Sequence, residues 1–183
     1  MAKRILIVED DGNIRELLRL YLEREGYEIF EAENGAVGLE QWKRCKPDML
    51  LLDFCRAHYC KSVKRGCETS NCGLCTVWLD GTPVLSCNVL AARADGHEVT
   101  TLEGVEEEAR EFGMFLAREG GEQCGFCNPG FIMNVLAMKR ELHHPTDDEI
   151  KEYLSGNLCR CSGYASHMRA IHKWLDSKKE AAE

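Results

Sequence analysis

The chain has 183 residues, room for one large or two small domains, and its 30% charged and 44% apolar residues are ordinary for a soluble globular protein. A net charge of −8 argues against nucleic acid or an anionic membrane surface as a partner, and no apolar run is long enough to span a bilayer. Eleven cysteines are the anomaly. The opening M-A-K-R-I-L-I-V-E-D-D has no long apolar core or small-residue cleavage site, so a cytoplasmic location is expected. In that reducing setting, dense cysteine points to metal rather than to disulfides.

Ile5 to Val8 is a short apolar run that ends in Glu9-Asp10-Asp11, the pattern of a buried parallel strand. Ile14, Leu17, Leu18, Tyr21 and Leu22 follow at helical spacing, and Gly26 ends that helix. Tyr27 to Ala32 reads as a second strand. Ala36 to Cys45 reads as a helix turning Val37, Leu39 and Trp42 toward the sheet, and Pro47 stops it. Met49 to Leu52 then reads as a third strand ending at Asp53. The order β-α-β-α-β predicts a parallel, right-handed arrangement of flavodoxin-like type.

Residues 1–53 resemble the first half of a response-regulator receiver domain. The resemblance implies Mg²⁺ held by Glu9, Asp10 and Asp53, with Asp53 accepting a phosphoryl group. Two further strands of that family, bearing a Ser/Thr and a Lys, have no counterpart here. Leu51-Leu52-Asp53 also fits a helix leading into the next segment, where Asp53 would only complement a helix dipole. Two resemblances thus meet on one tripeptide, as a recombined or engineered junction would leave them.

Phe54 to Val63 can form a short helix. Cys67, Cys72, Cys75 and Cys87 follow in the spacing C-x4-C-x2-C-x11-C, which matches the plant-type [2Fe–2S] pattern. Four thiolates on two irons leave excess negative charge, so the loop must wrap closely and aim N–H groups at the sulfurs. Gly66 and Gly73 would permit that wrapping. Zinc, usually held by paired C-x2–4-C knuckles, fits this spacing poorly. Thr76–Leu79, Asp80-Gly81 and Pro83–Leu85 read as a hairpin that sets Cys87 beside the loop, and His97–Thr101 as one more strand. Cys45, Cys55 and Cys60 lie outside the ligand sets and read as packed or half-exposed thiols, with His58 between two of them a weak metal hint.

Glu103–Glu111 begins a helix that runs on through Phe112, Phe115 and Leu116 to Gly120-Gly121. Cys124 and Cys127 follow, then Asn128-Pro129 opening a helix with Phe131, Ile132, Val135, Leu136 and Met138. Thr146 and Glu149 form a capping box for a third helix. Cys159 and Cys161 precede a fourth, from about Ala165 to Lys178, with Met168, Ile171 and Trp174 inward. The second set, C-x2-C-x31-C-x-C, suits iron–sulfur, with zinc a fair competitor on the first pair alone. His143-His144 reads as a solvated helix end.

Four blocks carry a second resemblance: G-C-E-T-S-N-C-G-L-C-T-V, D-G-T-P-V-L-S-C, Q-C-G-F-C-N-P-G and N-L-C-R-C-S-G-Y. Residues 54–183 resemble the small iron–sulfur subunit of the molybdenum hydroxylases, the xanthine dehydrogenase and aldehyde oxidase type. The fold this implies is α+β: an incomplete β-grasp [2Fe–2S] domain at 54–101, lacking its first two strands, and a four-helix [2Fe–2S]-binding domain at 102–183. The implied function is relay of electrons through two clusters, from a molybdopterin centre on a large subunit to FAD on another. The same resemblance makes Gln123 the contact to molybdopterin and leaves catalysis to the partner subunits. Ser70, where the family often has Gly, is a small departure. Alternative readings are a phosphoacceptor signalling module and a two-zinc structural module.

Overall fold

The computed structural model describes residues 4–45, 50–67 and 69–180. The chain divides into two compact units, Met1–Met49 and Leu50–Glu183.

The first unit follows the expected order as far as its second helix. Strand β1 (Arg4–Val8) pairs in parallel with β2 (Glu28–Ala32), Arg4 opposite Glu28 and Val8 opposite Ala32. Helix α1 (Gly12–Arg24) joins them, and Asp11 caps it by accepting from the N–H groups of Asn13 and Ile14. Helix α2 (Gly35–Cys45) follows; Gly38 lets it sit close to the sheet, since a Cβ there would lie 2.9 Å from Val8 Cγ2. Leu39 and Trp42, expected to face the sheet, have side chains outside the described residues, as does Cys45. The apolar face of α1 is not buried: Ile14, Leu17, Leu18 and Tyr21 all stay exposed, Tyr21 at 65%. Two strands offer too little sheet to cover a four-turn amphipathic helix.

Among the described residues the expected third strand is not formed. Met49 lies outside the described residues, Leu50 makes only an isolated antiparallel bridge to Leu90, and Leu51–Ala57 is helix α3 of the second unit. The partial βαβαβ segment is therefore βαβα. The reason lies in packing. Leu51 and Leu52 are 1% exposed and sit with Cys55, Val63, Cys75 and Val77 in one apolar cluster, while the Leu51 N–H donates to Val89 O at 2.7 Å. Leucine lacks the β-branching that favours strands, so burial decides the conformation. The helix expected over Phe54–Val63 thus starts earlier and ends at Ala57.

In the second unit, β3 (Thr76–Leu79) and β4 (Thr82–Leu85) make the expected hairpin, with Leu79 opposite Thr82. Asp80 (φ 50°) and Gly81 (φ 81°) both adopt the left-handed region that a two-residue primed turn requires. Strand β5 (Val99–Thr100) completes an antiparallel sheet of order β4-β3-β5. Four helices follow: α4 (Glu106–Arg118), α5 (Asn128–Glu141), α6 (Asp147–Tyr153) and α7 (Ala165–Glu180). The Thr146/Glu149 capping box is present on α6. Their core gathers Phe112, Leu116, Phe131, Met133, Leu136, Ile150, Ile171 and Trp174 in one cluster with Trp78 of the sheet. The Trp78 indole N–H donates to Met133 O at 3.1 Å, tying sheet to helices. Among the described residues no helix is long and apolar enough to cross a membrane.

Candidate metal centres

The first cysteine set is wound into the loop between α3 and β3. At Gly66 a Cβ would lie 3.1 Å from Cys72 Sγ and 3.2 Å from Leu74 Cδ2, so glycine gives the loop room to close on the sulfur without displacing these side chains. Gly73 (φ 72°) needs the left-handed region, and a Cβ there would lie 2.8 Å from Gly156 O. The Cys67 sulfur accepts from the N–H groups of Thr69 and Asn71, each at 3.4 Å. Burial pushes the Cys67 thiol up, but these two donors and the neighbouring Cys72 and Thr69 side chains outweigh it and lower it to about 6. Burial first, then the neighbouring Cys87, pushes Cys75 up to about 11, against the opposing pull of hydrogen bonds.

Cys87 arrives on a short turn after the hairpin. Ser86 positions it: its N–H and hydroxyl both donate to Cys75 O, at 3.2 and 2.7 Å. Ser70 occupies the left-handed region (φ 60°), which explains the glycine usual at that place, and its Oγ lies 3.7 Å from Cys87 Sγ. The sulfurs meet in pairs, Cys67 with Cys72 and Cys75 with Cys87.

The second set lies at helix ends. Cys127 is the N-cap residue of α5, and Asn128-Pro129 open the helix as expected. Cys124 Sγ and Cys161 Sγ are 3.7 Å apart, and Cys127 adjoins Cys159. The Ser162 N–H and hydroxyl donate to Cys159 Sγ at 3.4 and 3.2 Å. Burial raises the Cys159 thiol, and these donors more than reverse it, leaving it below its ordinary value. Burial, then the hydrogen bond with Cys159 and its charge, pushes Cys127 up to about 12. The Tyr164 hydroxyl accepts from the Cys159 N–H at 2.8 Å, holding the loop before α7. Gln123 is exposed, its side-chain amide donating to Gly120 O at 3.3 Å. The preceding Gly121 carbonyl is bound at 3.1 Å by the buried ring of His167.

Among the described residues no three Cys, His, Asp or Glu converge as ligands of a single ion. The thiols come two by two, the division a binuclear [2Fe–2S] cluster asks for, with two protein ligands on each iron. N–H donors aimed at Cys67 and Cys159 offset the charge such a cluster carries. The residues fit the group.

Contacts between the two sets are the part the sequence did not point to. The Leu158 N–H, one residue before Cys159, donates to Cys72 O at 3.0 Å. Asn134 donates to Asn157 Oδ1 at 2.9 Å and to Thr76 Oγ1 at 3.2 Å. Gly130 of α5 abuts the first loop: a Cβ there would collide with Gly73 O and lie 2.9 Å from Leu74 Cα. A glycine inside a helix, normally costing about 1 kcal/mol, was the one available signal.

Of the remaining expected residues, Glu9 and Asp10 follow β1 in the first unit. Asp53 stands in the first turn of α3, ion-paired with Arg65. His143 and His144 are exposed, as expected of a solvated helix end.

Comparison with known proteins agrees with this geometry. Residues 101–172 match the sequence family described as the [2Fe-2S] binding domain, and residues 5–55 the response regulator receiver domain. The chain is thus a [2Fe–2S]-binding protein with a receiver-like segment at its start. It is 43% identical over 129 residues to the nicotinate dehydrogenase small FeS subunit of Eubacterium barkeri, covering 69% of this chain and 82% of that one. It is 43% identical over 137 residues to the xanthine dehydrogenase iron-sulfur-binding subunit of Escherichia coli O157:H7, covering 73% and 84%. The solved quinoline 2-oxidoreductase of Pseudomonas putida 86 superposes with a TM-score of 0.66 at 34% identity, over 72% of this chain and 85% of that chain. The chain belongs to the small iron–sulfur subunits of the molybdenum hydroxylases.

Proposed function

We propose that this chain is an electron-transfer subunit carrying two [2Fe–2S] clusters, one on Cys67, Cys72, Cys75 and Cys87, the other on Cys124, Cys127, Cys159 and Cys161. When bound, such a cluster supplies a one-electron couple. The observation that carries the reading is the pairing of eight thiols in two sets, with the backbone hydrogen bond from Leu158 to Cys72 between them.

Each residue's part follows from its contacts. Thr69, Asn71 and Ser162 direct N–H groups at sulfur and favour the thiolate. Ser86 holds Cys87 against Cys75. Gly73 and Gly130 allow the first loop and α5 to touch backbone to backbone, which shortens the gap an electron crosses. The second set, whose Cys124 and Cys161 are exposed, faces a molybdopterin-binding large subunit, with exposed Gln123 contacting the pterin. The first set passes electrons on toward FAD on another subunit or a different acceptor. Relatives described as small subunits support the existence of larger partners. In this reading residues 54–101 serve the first cluster and 102–183 the second.

The test is the visible spectrum of the isolated protein and EPR after dithionite reduction. Two distinct S = 1/2 signals are expected, and Cys72→Ser should remove one and spare the other. The receiver match supports a second reading, phosphoryl transfer to Asp53 with Mg²⁺ held by Glu9 and Asp10. Acetyl phosphate labelling that is lost in Asp53→Asn would establish it. The helical position of Asp53 and its Arg65 partner weigh against it.

A further inference from the structure

Two thiols outside the ligand sets sit at either end of one turn. Helix α3 ends at Ala57, and Tyr59 follows in the left-handed region at φ 70°. The Cys60 N–H then donates back to Cys55 O at 2.9 Å, a six-residue closure of the Schellman type. In that motif the side chains of the first and last residues meet. Here those residues are both cysteine. Cys55 is buried in the cluster formed by Leu51, Leu52, Val63 and Val77, and Cys60, half-buried, packs on the same cluster. The Cys60 thiol donates to His58 O at 3.8 Å, which holds its sulfur over the turn.

We propose that Cys55 and Cys60 are a redox-active pair that closes to an intramolecular disulfide when a low-molecular-weight disulfide such as oxidised glutathione accumulates. The closed turn folds the two residues back on each other through the Cys60 N–H to Cys55 O bond, and disulfide closure requires their Cα atoms to lie within the separation of about 4.4–6.8 Å that disulfides span. Half-exposed Cys60 attacks one sulfur of the oxidant, releasing one thiolate and forming a mixed disulfide. Cys55 then attacks the Cys60 sulfur and expels the second thiolate. Two protein thiols are oxidised, one small disulfide is reduced to two thiols, and the two protons from Cys55 and Cys60 end on those thiols. Burial, together with the nearby Cys60 and Glu103, pushes the Cys55 thiol up to about 11, so the second step is the slow one. The pair stays open under ordinary thiol conditions and closes on sustained oxidation.

The experiment treats the intact, cluster-loaded protein anaerobically with oxidised glutathione, blocks remaining thiols by alkylation, and maps tryptic peptides by mass spectrometry. Trypsin cuts after Arg56 and Lys61, so the disulfide joins two separate peptides. The expected result is that cross-linked pair, two hydrogens lighter than the sum of its parts, together with loss of two alkylatable thiols that dithiothreitol restores. In Cys55→Ser, Cys60 should instead hold a stable glutathione adduct. The proposal is overturned if the unsubstituted protein also stops at that adduct, or if both thiols remain alkylatable while the cluster absorbance survives.

Discussion

The two cysteine sets solve one problem in opposite ways. The first is coiled inside the fold: Cys72 and Cys75 are buried, two glycines relieve crowding, and a hairpin delivers the fourth sulfur. The second is spread over loops at the ends of α5 and α7, with Cys124 and Cys161 exposed. Burial protects the first from solvent and exchange, whereas the open face of the second suits hand-over to a partner. Local sequence builds the first site, and long-range helix packing builds the second.

The sharpest way to break that comparison is at their shared boundary. Gly130→Ala places a methyl group into the Gly73 carbonyl, where both neighbours are backbone and cannot yield. Overpacking of this kind costs about 1–3 kcal/mol, so thermal unfolding of the cluster-loaded protein should shift down by several degrees. Both EPR signals should broaden or weaken, because the contact supports both loops.

Asn134→Ala comes next. It removes the amide donor shared by Asn157 Oδ1 and Thr76 Oγ1, two acceptors on buried residues, a loss of about 1–2 kcal/mol readable by the same denaturation.

A third experiment separates the sites by exposure. Under ferricyanide or a strong chelator, the signal assigned to Cys124, Cys127, Cys159 and Cys161 should decay before that of the buried set. Cys161→Ser identifies which signal is which. Equal decay of both would remove the contrast.

Smaller effects tune each site alone. Ser162→Ala deletes the 3.2 Å hydroxyl donor to Cys159 and should lower the potential of the second cluster only, measured by redox titration. Ser70→Gly relieves a left-handed serine, stabilising by about 1 kcal/mol, while any change in potential falls on the first cluster through Cys87.

The same contrast explains what the sequence made legible. The first loop's spacing, the Asp80-Gly81 turn and the Thr146/Glu149 capping box are local signals, each contained in one short stretch of chain, and the turn and the cap stand where their signals lie. Met49–Leu52 misled because a short apolar run fits a buried strand and a buried helix equally. Leu51 and Leu52 take the helical form because the core under Val77 and Val63 accepts them there. The apolar stripe of α1 correctly marked a helix but not its exposure, which depends on how much sheet is available to it. The Leu158–Cys72 bond joins residues 86 positions apart through backbone atoms, which leave no trace in side-chain identity.

The most direct measurement counts metal and sulfide in anaerobically purified protein alongside its EPR. About four irons and four acid-labile sulfides per chain are expected, with two S = 1/2 species after reduction. A colourless product that takes up zinc, and no iron even when supplied with iron and sulfide, would contradict the assignment of the eight cysteines.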